Sequence, residues 1–388
     1  MKIVFKKDVI CNAVSPLMSG ISTKNTSIAS EGILIETVSA NQCVLTTYDL
    51  EKGVRIAVEA DVIEEGSAII NASKFSQTVR AMDGDDITLT VDAKMCATIM
   101  CGKSSHTMSA LAGKDFPEIP KLTSQNGFTV AQDTLKRMIG KCMHAMGIND
   151  QRPILNGLYI TIRDDEMNMV SCNSFQMALC GTHTPIEYIS ESGDGLNYKF
   201  IVPTKSVNEL NKLISSKDEP VTIYMNRKNI IFVMGDVTFF SRLIEGEYLD
   251  YNLIIVKNHR ISVYVDREYL LSALERAALI TEEKISGSGR SHVRLEVVGD
   301  ILKISATSNS GVGSSYDEVF VEHEGDDLAI AFNNRYLIDS LRASDAVRVK
   351  LSLSGARTSM NIEPADPETE ENAGDSELFF LLPVRMKE

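Results

Sequence analysis

One sequence pattern occurs twice in this chain, 132 residues apart. The first copy is Ser109, Leu111, Asp115, Phe116 and Glu118, and the second is Ser241, Leu243, Glu247, Tyr248 and Asp250. A second pair of similar stretches, Gly32–Ile35 and Gly157–Ile160, lies at an offset of 125, and the alternating stretch Val293–Val297 continues the series. A chain of 388 residues has room for three such units. The repeat therefore predicts three copies of one domain.

Segments with helical periodicity are repeated along the chain as well. Apolar residues recur at helical spacing in segments 6–20, 71–82, 131–147, 203–213, 266–280 and 333–343. Four of these segments begin near a residue suited to a helix start, namely Asn71, Pro203, Asp266 and Asn333. The pattern predicts two helices in each repeat.

Short alternating segments lie between the predicted helices and indicate strands. They include Gln42–Thr47, Asp86–Val91, Val221–Tyr224 and Val347–Leu353. Helices that bury one face pack on a sheet, so the predicted fold is α+β, with two helices on antiparallel sheets in each domain. The predicted domains are 1–126, 127–258 and 259–388. An unrelated α+β protein with coincidental similarities is the alternative.

The charge distribution is uneven along the chain. A net charge of -14 argues against nucleic-acid binding, which usually requires a basic surface. The six helical segments nevertheless carry a net +6, so the remainder carries -20. Helices gathered on one surface would attract phosphates weakly and without sequence specificity. Ordinary solvated helix surfaces are the alternative, since Lys and Arg favour helices.

Motifs for catalysis and for membrane insertion are missing from the sequence. No apolar run approaches the roughly 20 residues of a membrane span, and the N-terminus does not resemble a signal peptide, so a cytoplasmic protein without a membrane partner is predicted. The seven cysteines form no CxxC pair and are predicted to be buried thiols. No phosphate-binding loop, nucleophile elbow or zinc motif occurs. We therefore predict no catalytic residue, no metal and no cofactor, with an α+β enzyme as the alternative.

Five segments resemble bacterial sliding clamps, the β subunits of DNA polymerase III. Asp150–Gly157 is similar to their DxRPILNG segment, and Val202–Lys205 to the start of an inner helix. Phe332–Leu337 resembles their FNxxYLxD helix, Leu381–Met386 their terminal strand, and Phe116–Glu118 the end of their first domain. The matches occur in order across nearly the whole chain.

The resemblance implies a non-enzymatic clamp that encircles duplex DNA. Two chains would join head to tail into a homodimeric ring whose helices line the hole. The implied partners are the DNA polymerase III catalytic subunit, the clamp loader, other polymerases and repair factors. Each would insert a short peptide into a hydrophobic pocket between the second and third domains.

The resemblance also implies site residues, position by position. The peptide pocket would comprise Leu155, Cys172, Ser174, Phe175, Gln176, Met177, Leu249, Ile254, Asn333, Tyr336, Leu382, Pro383, Val384, Arg385 and Met386. The DNA contacts would be Lys24, Arg80, Arg137, Asn149, Arg152 and Lys205. The alternatives are core residues at a domain junction for the first set and surface charges for the second.

Two segments depart from the family pattern. The family has TDxHRLA where this chain has Cys172–Ala178, and FPDY where it has Tyr248–Tyr251. An arginine and a histidine at the pocket rim are lost, so the peptide preference is predicted to differ. The chain is either the main replicative clamp or a divergent second copy. The acidic segment 363–377 is predicted to be a solvated loop.

Overall fold

Six α-helices form in the described part of the chain, where the apolar periodicity predicts them. The computed structural model describes residues 1–22, 29–120, 126–189, 197–281, 292–308, 313–366 and 375–385. In these ranges the helices are α1 Lys7–Leu17, α2 Ala72–Ala81, α3 Gln132–Cys142, α4 Thr204–Leu213, α5 Arg267–Thr281 and α6 Asn334–Ala343. Short 3-10 turns, Met18–Gly20 and Met143–Ala145, follow α1 and α3. They account for the longer segments predicted there.

Nine strands lie in each third of the chain, within the described ranges. The first nine are β1 Lys2–Lys6, β2 Gly32–Ser39, β3 Gln42–Tyr48, β4 Lys52–Glu59, β5 Asp61–Glu64, β6 Ser67–Asn71, β7 Asp86–Val91, β8 Cys96–Cys101 and β9 Ser104–Ala112. The next nine are β10 Gly127–Ala131, β11 Gly157–Arg163, β12 Glu166–Cys172, β13 Gln176–His183, β14 Glu187–Ile189, β15 Tyr198–Pro203, β16 Pro220–Met225, β17 Asn229–Met234 and β18 Val237–Arg242. The last nine are β19 Ile261–Asp266, β20 His292–Val298, β21 Ile301–Thr307, β22 Ser314–Phe320, β23 Glu322–Glu324, β24 Leu328–Asn333, β25 Arg348–Leu353, β26 Met360–Pro364 and β27 Ser376–Leu381.

The three thirds share one strand-pairing scheme. In each third the first strand pairs antiparallel with the seventh, as β1 with β7, β10 with β16 and β19 with β25. The second strand pairs with the sixth, which places Gly32 opposite Asn71, Gly157 opposite Pro203 and His292 opposite Asn333. A helix follows the first strand and another follows the sixth. The predicted threefold α+β repeat is confirmed.

The first of two compact units comprises Met1–Asp133, Glu187–Asp194 and Lys212–Leu243. Its strands form one sheet in the order β14-β10-β16-β17-β18-β4-β3-β2-β6-β9-β8-β7-β1-β5. Helix α1 packs on β4 and α2, and it buries Ile10, Val14 and Leu17. The pairing of β18 with β4, which places Ser241 opposite Lys52, joins the middle third to the first.

The second unit comprises Thr134–Ile186, Gly195–Asn211 and Ile244–Glu388. One of its sheets has the order β15-β11-β12-β13-β27-β26-β25-β19-β23, and the other β22-β21-β20-β24. The pairing of β13 with β27 joins the last third to the middle third. Helix α5 packs on α6 and on β21 and β22. No helix in the described part of the chain is long and apolar enough to cross a membrane.

Three of the four predicted helix starts are caps. The side chains of Asn71, Asn333 and Asp266 accept hydrogen bonds from the backbone N–H groups of Lys74, Arg335 and Tyr269, each at 3.0 Å. The prediction for Pro203 was wrong in detail. Strand β15 ends at Pro203 and α4 begins at Thr204, so Pro203 stands just before the helix and is not its first residue.

The cysteine prediction is confirmed for four of the seven residues. All seven are free thiols. Cys43, Cys101, Cys142 and Cys180 are buried, whereas Cys11, Cys96 and Cys172 are half-buried.

Candidate functional site

The turn between β12 and β13, in the second unit, carries the centre of the predicted peptide pocket. The side-chain oxygen of Asn173 accepts hydrogen bonds from the backbone N–H groups of Phe175 and Gln176, at 2.9 and 3.0 Å. The backbone N–H of Leu382 donates to the carbonyl of Phe175 at 2.9 Å. The turn is therefore held from two sides, while the side chains of Phe175 and Leu382 stay 52% and 42% exposed.

Helix α6 brings an aromatic ring to this turn. Tyr336 lies in the first turn of α6, which Asn333 caps, and its ring stacks on Phe175 with centroids 6.2 Å apart and planes at 26°. The chain end connects the two elements, because Val384 N–H donates to the carbonyl of Ala331 in β24 at 2.8 Å. Exposed apolar and aromatic side chains from the second and last thirds are thus assembled into one surface.

A buried cluster supports this surface from below. Val170, Met177 and Phe380 form its centre, and the partly buried side chains packed against it are Tyr159, Cys172, Leu179, Tyr248, Tyr251, Ile255 and Leu378. The rings of Tyr159 and Tyr248 stack at 4.6 Å. Burial raises the pKa of the Cys172 thiol to about 11, so this thiol stays protonated and unreactive at neutral pH.

The predicted pocket residues differ in what they can contact. Ser174, Phe175, Ile254, Leu382 and Arg385 are exposed, and Cys172, Leu249, Asn333, Tyr336, Pro383 and Val384 are half-buried. Leu155, Gln176 and Met177 are buried, so their place is in the supporting core. Met386 lies outside the described residues.

Gln176 ties the pocket turn to the end of α3. Its side-chain N–H donates to the carbonyl of His144 at 2.9 Å. The His144 ring packs edge-on against Phe379 at 5.2 Å, and its Nε2 lies 3.3 Å from the hydroxyl of Ser340 in α6. Burial lowers the pKa of His144 to about 4, so the ring is neutral at physiological pH. Strand β13, the turn after α3 and helix α6 are thereby fixed to one another.

Comparison with known proteins accounts for the fold. Models of the N-terminal, central and C-terminal domains of the DNA polymerase III beta subunit match residues 1–120, 129–250 and 253–373. The chain belongs to the DNA polymerase III beta subunit family. The three-domain interpretation and the resemblance drawn from short motifs are both confirmed by these matches.

Relatives of this family match the chain along its whole length. The "Beta sliding clamp" of Staphylococcus epidermidis strain ATCC 35984 is 25% identical over 394 residues, which cover 99% of each chain. The solved DNA polymerase III subunit beta from Pseudomonas aeruginosa is 26% identical, with a TM-score of 0.87 and complete coverage of both chains. A second Pseudomonas aeruginosa structure, described as bound to griselimycin, matches equally well.

The residues predicted to contact DNA have different environments. Arg80 in α2 is exposed and donates to the hydroxyl of Ser15 at 2.6 Å. Asn149 is exposed, in a left-handed backbone conformation with φ of 58° that asparagine tolerates. Lys205 is exposed on α4. Lys24 lies outside the described residues.

The other two predicted DNA contacts are held by carboxylates. The Arg152 guanidinium lies 3.3 Å from Asp150 and donates to Ser174 at 3.2 Å, so it lies beside a residue of the predicted peptide pocket. Hydrogen bonds from the Arg152 backbone and side chain lower the pKa of Asp150. Arg137 is ion-paired with Asp375. A phosphate would have to compete with these carboxylates.

Beside Arg137, an ion cluster centred on the buried Lys141 contradicts part of the sequence interpretation. Lys141, 6% exposed, lies 2.7 Å from Glu377, 3.3 Å from Asp345 and 3.9 Å from Asp375. Glu377 also accepts a hydrogen bond from Ser344. The acidic segment 363–377 was predicted to be a solvated loop, and this is wrong at both ends. Glu363 and Pro364 belong to strand β26, and Asp375 and Glu377 are largely buried. Residues 367–374 of the segment lie outside the described residues.

Several residues of the site were missed by sequence reasoning. Tyr159 and Tyr251 of the supporting cluster, His144, and Asp150, which holds Arg152, were not predicted. Asp150 lies inside a motif used for the resemblance, and Tyr251 lies inside a segment that was compared with the family pattern, so the position of both was available as a signal. Within the described ranges no group of three or more His, Cys, Asp or Glu residues is placed to hold a metal ion.

Proposed function

We propose that this chain is a DNA sliding clamp, a processivity factor that encircles duplex DNA and tethers the replicative polymerase. The three domain models of the beta subunit and the relatives named beta sliding clamp support this function. The chain would act in the cytoplasm and catalyse no reaction itself. Its domains would be 1–126, 127–258 and 259–388, since both boundaries fall between the last strand of one repeat and the first strand of the next.

The proposal of a ring rests on two strand edges that have no pairing strand in the described part of the chain. The ninth strand of one third pairs with the fourth strand of the preceding third, as β18 with β4 and β27 with β13. The same rule assigns β9 to β22. In the described part of the chain, residues 104–109 of β9 pair only with β8, and β22 pairs only with β21.

A second copy of the chain would satisfy both edges. Unpaired strand edges invite pairing with another chain. Strand β22 carries the exposed side chains of Tyr316 and Phe320, and Leu279 is exposed at the end of α5, which packs on β22. If β9 of each copy pairs with β22 of the other, two identical head-to-tail contacts close a ring. The expected mass in solution is twice 42.7 kDa.

The test of the function is topological. Loaded by the clamp loader of the same bacterium, the protein is expected to stay on a nicked circular plasmid and to run off the same plasmid after linearisation. Sliding contacts are electrostatic and weak, whereas a closed ring can leave DNA only over an end. Gel filtration of the protein–plasmid complex before and after cleavage measures this difference. Equal retention on both forms would contradict the ring.

The second part of the proposal is that partners bind at the surface around Phe175. These partners would be the DNA polymerase III catalytic subunit, the clamp loader, other polymerases and repair factors. The exposed apolar side chains of Phe175, Ile254 and Leu382 support a peptide site, as does the relative bound to griselimycin. Arg385 and Asn333 would bind the polar ends of the peptide.

Truncation of the exposed pocket side chains is expected to weaken peptide binding without loss of fold. Phe175→Ala and Leu382→Ala should each raise the Kd of a peptide from the same bacterium's polymerase III catalytic subunit about tenfold, which corresponds to about 1.4 kcal/mol of lost apolar contact. Fluorescence anisotropy with the labelled peptide measures the change. Val347→Ala, also at an exposed apolar residue, is the control and should bind normally. Failure of the unmodified protein to bind at high micromolar concentration would instead favour the divergent second clamp.

A further inference from the structure

The arginines on the helices of the last third are all held by carboxylates. In the described residues these pairs are Arg267 with Glu268, Arg276 with Asp317, Arg335 with Asp339 and Arg342 with Glu275. Arg267 is also half-buried and donates to two backbone carbonyls. None of the four guanidinium groups is therefore an unpaired positive charge.

Two of these pairs start from neighbouring residues of α5, Glu275 and Arg276. Arg276 donates to both oxygens of Asp317 in β22, with its shortest contact at 2.7 Å. The neighbouring residue, Glu275, accepts from Arg342 in α6 at 2.8 Å. Consecutive residues of a helix point in different directions, so Glu275 reaches α6 while Arg276 reaches β22. The Asp317 hydrogen bond raises the pKa of Arg276, in keeping with a close pair.

The helices of the first third are different. Lys7 donates to the carbonyl of Met82, and Arg80 to the hydroxyl of Ser15, both of which are neutral partners. Lys74 is exposed and has no carboxylate within ion-pair distance in the described part of the chain. Positive charge on α1 and α2 is thus left for an external anion, whereas on α5 and α6 it is compensated internally.

We propose that Asp317 and Glu275 are built-in counter-anions that keep Arg276 and Arg342 from DNA, so that the last third contributes almost nothing to phosphate binding. The phosphate contacts then come from helices outside the last third. This inference rests on the proposed function, because it requires the helices to face DNA. In the ring, attraction for duplex DNA would come from the same part of each chain only, and the last third of each chain would add little to it.

Removing the two counter-anions is expected to strengthen DNA binding. The double variant Glu275→Gln/Asp317→Asn frees two guanidinium groups, and each new phosphate contact steepens the slope of log K against log salt by about 0.9. The slope should therefore steepen by about 1 to 2, with tighter binding at low salt. Fluorescence anisotropy of a labelled duplex over a series of salt concentrations measures it.

Matched controls separate this effect from a change in net charge. Asp236→Asn/Asp326→Asn removes two exposed carboxylates outside the helices, and it should leave the slope unchanged. Arg276→Gln/Arg342→Gln should also leave the slope unchanged, whereas Lys74→Gln/Arg80→Gln should flatten it. The mass of each variant in solution shows whether it still assembles like the unmodified protein.

The outcomes distinguish a failure of the counter-anion inference from a failure of the proposed clamp function. If Arg276→Gln/Arg342→Gln weakens DNA binding as strongly as Lys74→Gln/Arg80→Gln, the counter-anion inference is overturned and the clamp function stands. If Glu275→Gln/Asp317→Asn binds DNA no better than its charge control, the inference is overturned as well. If Lys74→Gln/Arg80→Gln has no effect, the helices do not face DNA, and both the inference and the DNA surface of the proposed function fail.

Discussion

The double variant Leu279→Glu/Phe320→Glu is expected to be a monomer that no longer stays on circular DNA. Both side chains are apolar and largely exposed in the single chain, at 79% and 87%. Burial of a large apolar side chain contributes about 1.5 to 3 kcal/mol, and a ring with two identical contacts loses this contribution twice. The dimer dissociation constant should therefore rise at least about a hundredfold. Sedimentation velocity and plasmid retention measure the two consequences.

A control with the same charge change keeps this test specific. Leu253 and Val347 are also strongly exposed apolar residues, but neither lies on β22, on α5 or on β9. Leu253→Glu/Val347→Glu should remain dimeric and retained on the circle. If Leu279→Glu/Phe320→Glu assembles like the control, the edge of β22 is not the contact and the assignment of β9 to β22 is wrong.

Local periodicity carried most of the fold prediction. The helix α2 illustrates why, since its buried residues Ala72, Phe75, Ser76 and Val79 follow the spacing of one helical face. In strand β7, buried residues alternate with less buried ones, and the buried residues are Ile87, Leu89 and Val91. Patterns of this kind depend only on residues that are close together in the sequence, so they can be recognised from the sequence alone.

Contacts between repeats are different, because no local pattern encodes them. The pairing of Phe240 with Gly53 shows this. A side chain on Gly53 would place its Cβ 2.3 Å from the Phe240 ring, so the glycine is required by a strand almost two hundred residues away. The sequence shows only a glycine near the start of a strand. The stacking of Phe175 on Tyr336 at the predicted pocket is likewise a contact between distant segments that no local pattern encodes.

Charge was the least predictable property of the site. Counting charges on six helical segments pointed to a basic inner surface, but a count does not show which cations already have a partner. Lys141 and Arg137 in α3 face Glu377 and Asp375, which lie more than two hundred residues further along the chain. Arg276 and Arg342 are compensated in the same manner. The predicted DNA contacts at Arg137 and Arg152 thus stay predictions.

The Lys141→Met variant is expected to lose about 3 to 5 kcal/mol of folding free energy. Glu377 is 4% exposed and Asp375 9%, so removal of the lysine leaves carboxylates largely buried with less compensation. Burial alone would lower the pKa of Lys141, but the charge and hydrogen bond of Glu377, with Asp345, raise it above its ordinary value of 10.5. Because the pKa is raised on folding, this stabilisation is complete at neutral pH and is lost only as the pH rises above 10.5 and through the higher pKa of the folded state.

Urea unfolding at neutral pH measures this loss, and two further variants show whether it comes from the ion pair. Lys74→Met, at an exposed helical lysine, should change the free energy of unfolding by less than about 0.5 kcal/mol. The double variant Lys141→Met/Glu377→Gln removes one charge of each sign and should recover part of the stability, because a buried pair can often be replaced by neutral groups at little cost. A double variant as unstable as the sum of its single variants would mean that the two residues act independently. The junction of α3 with β27 would then be stabilised by packing alone.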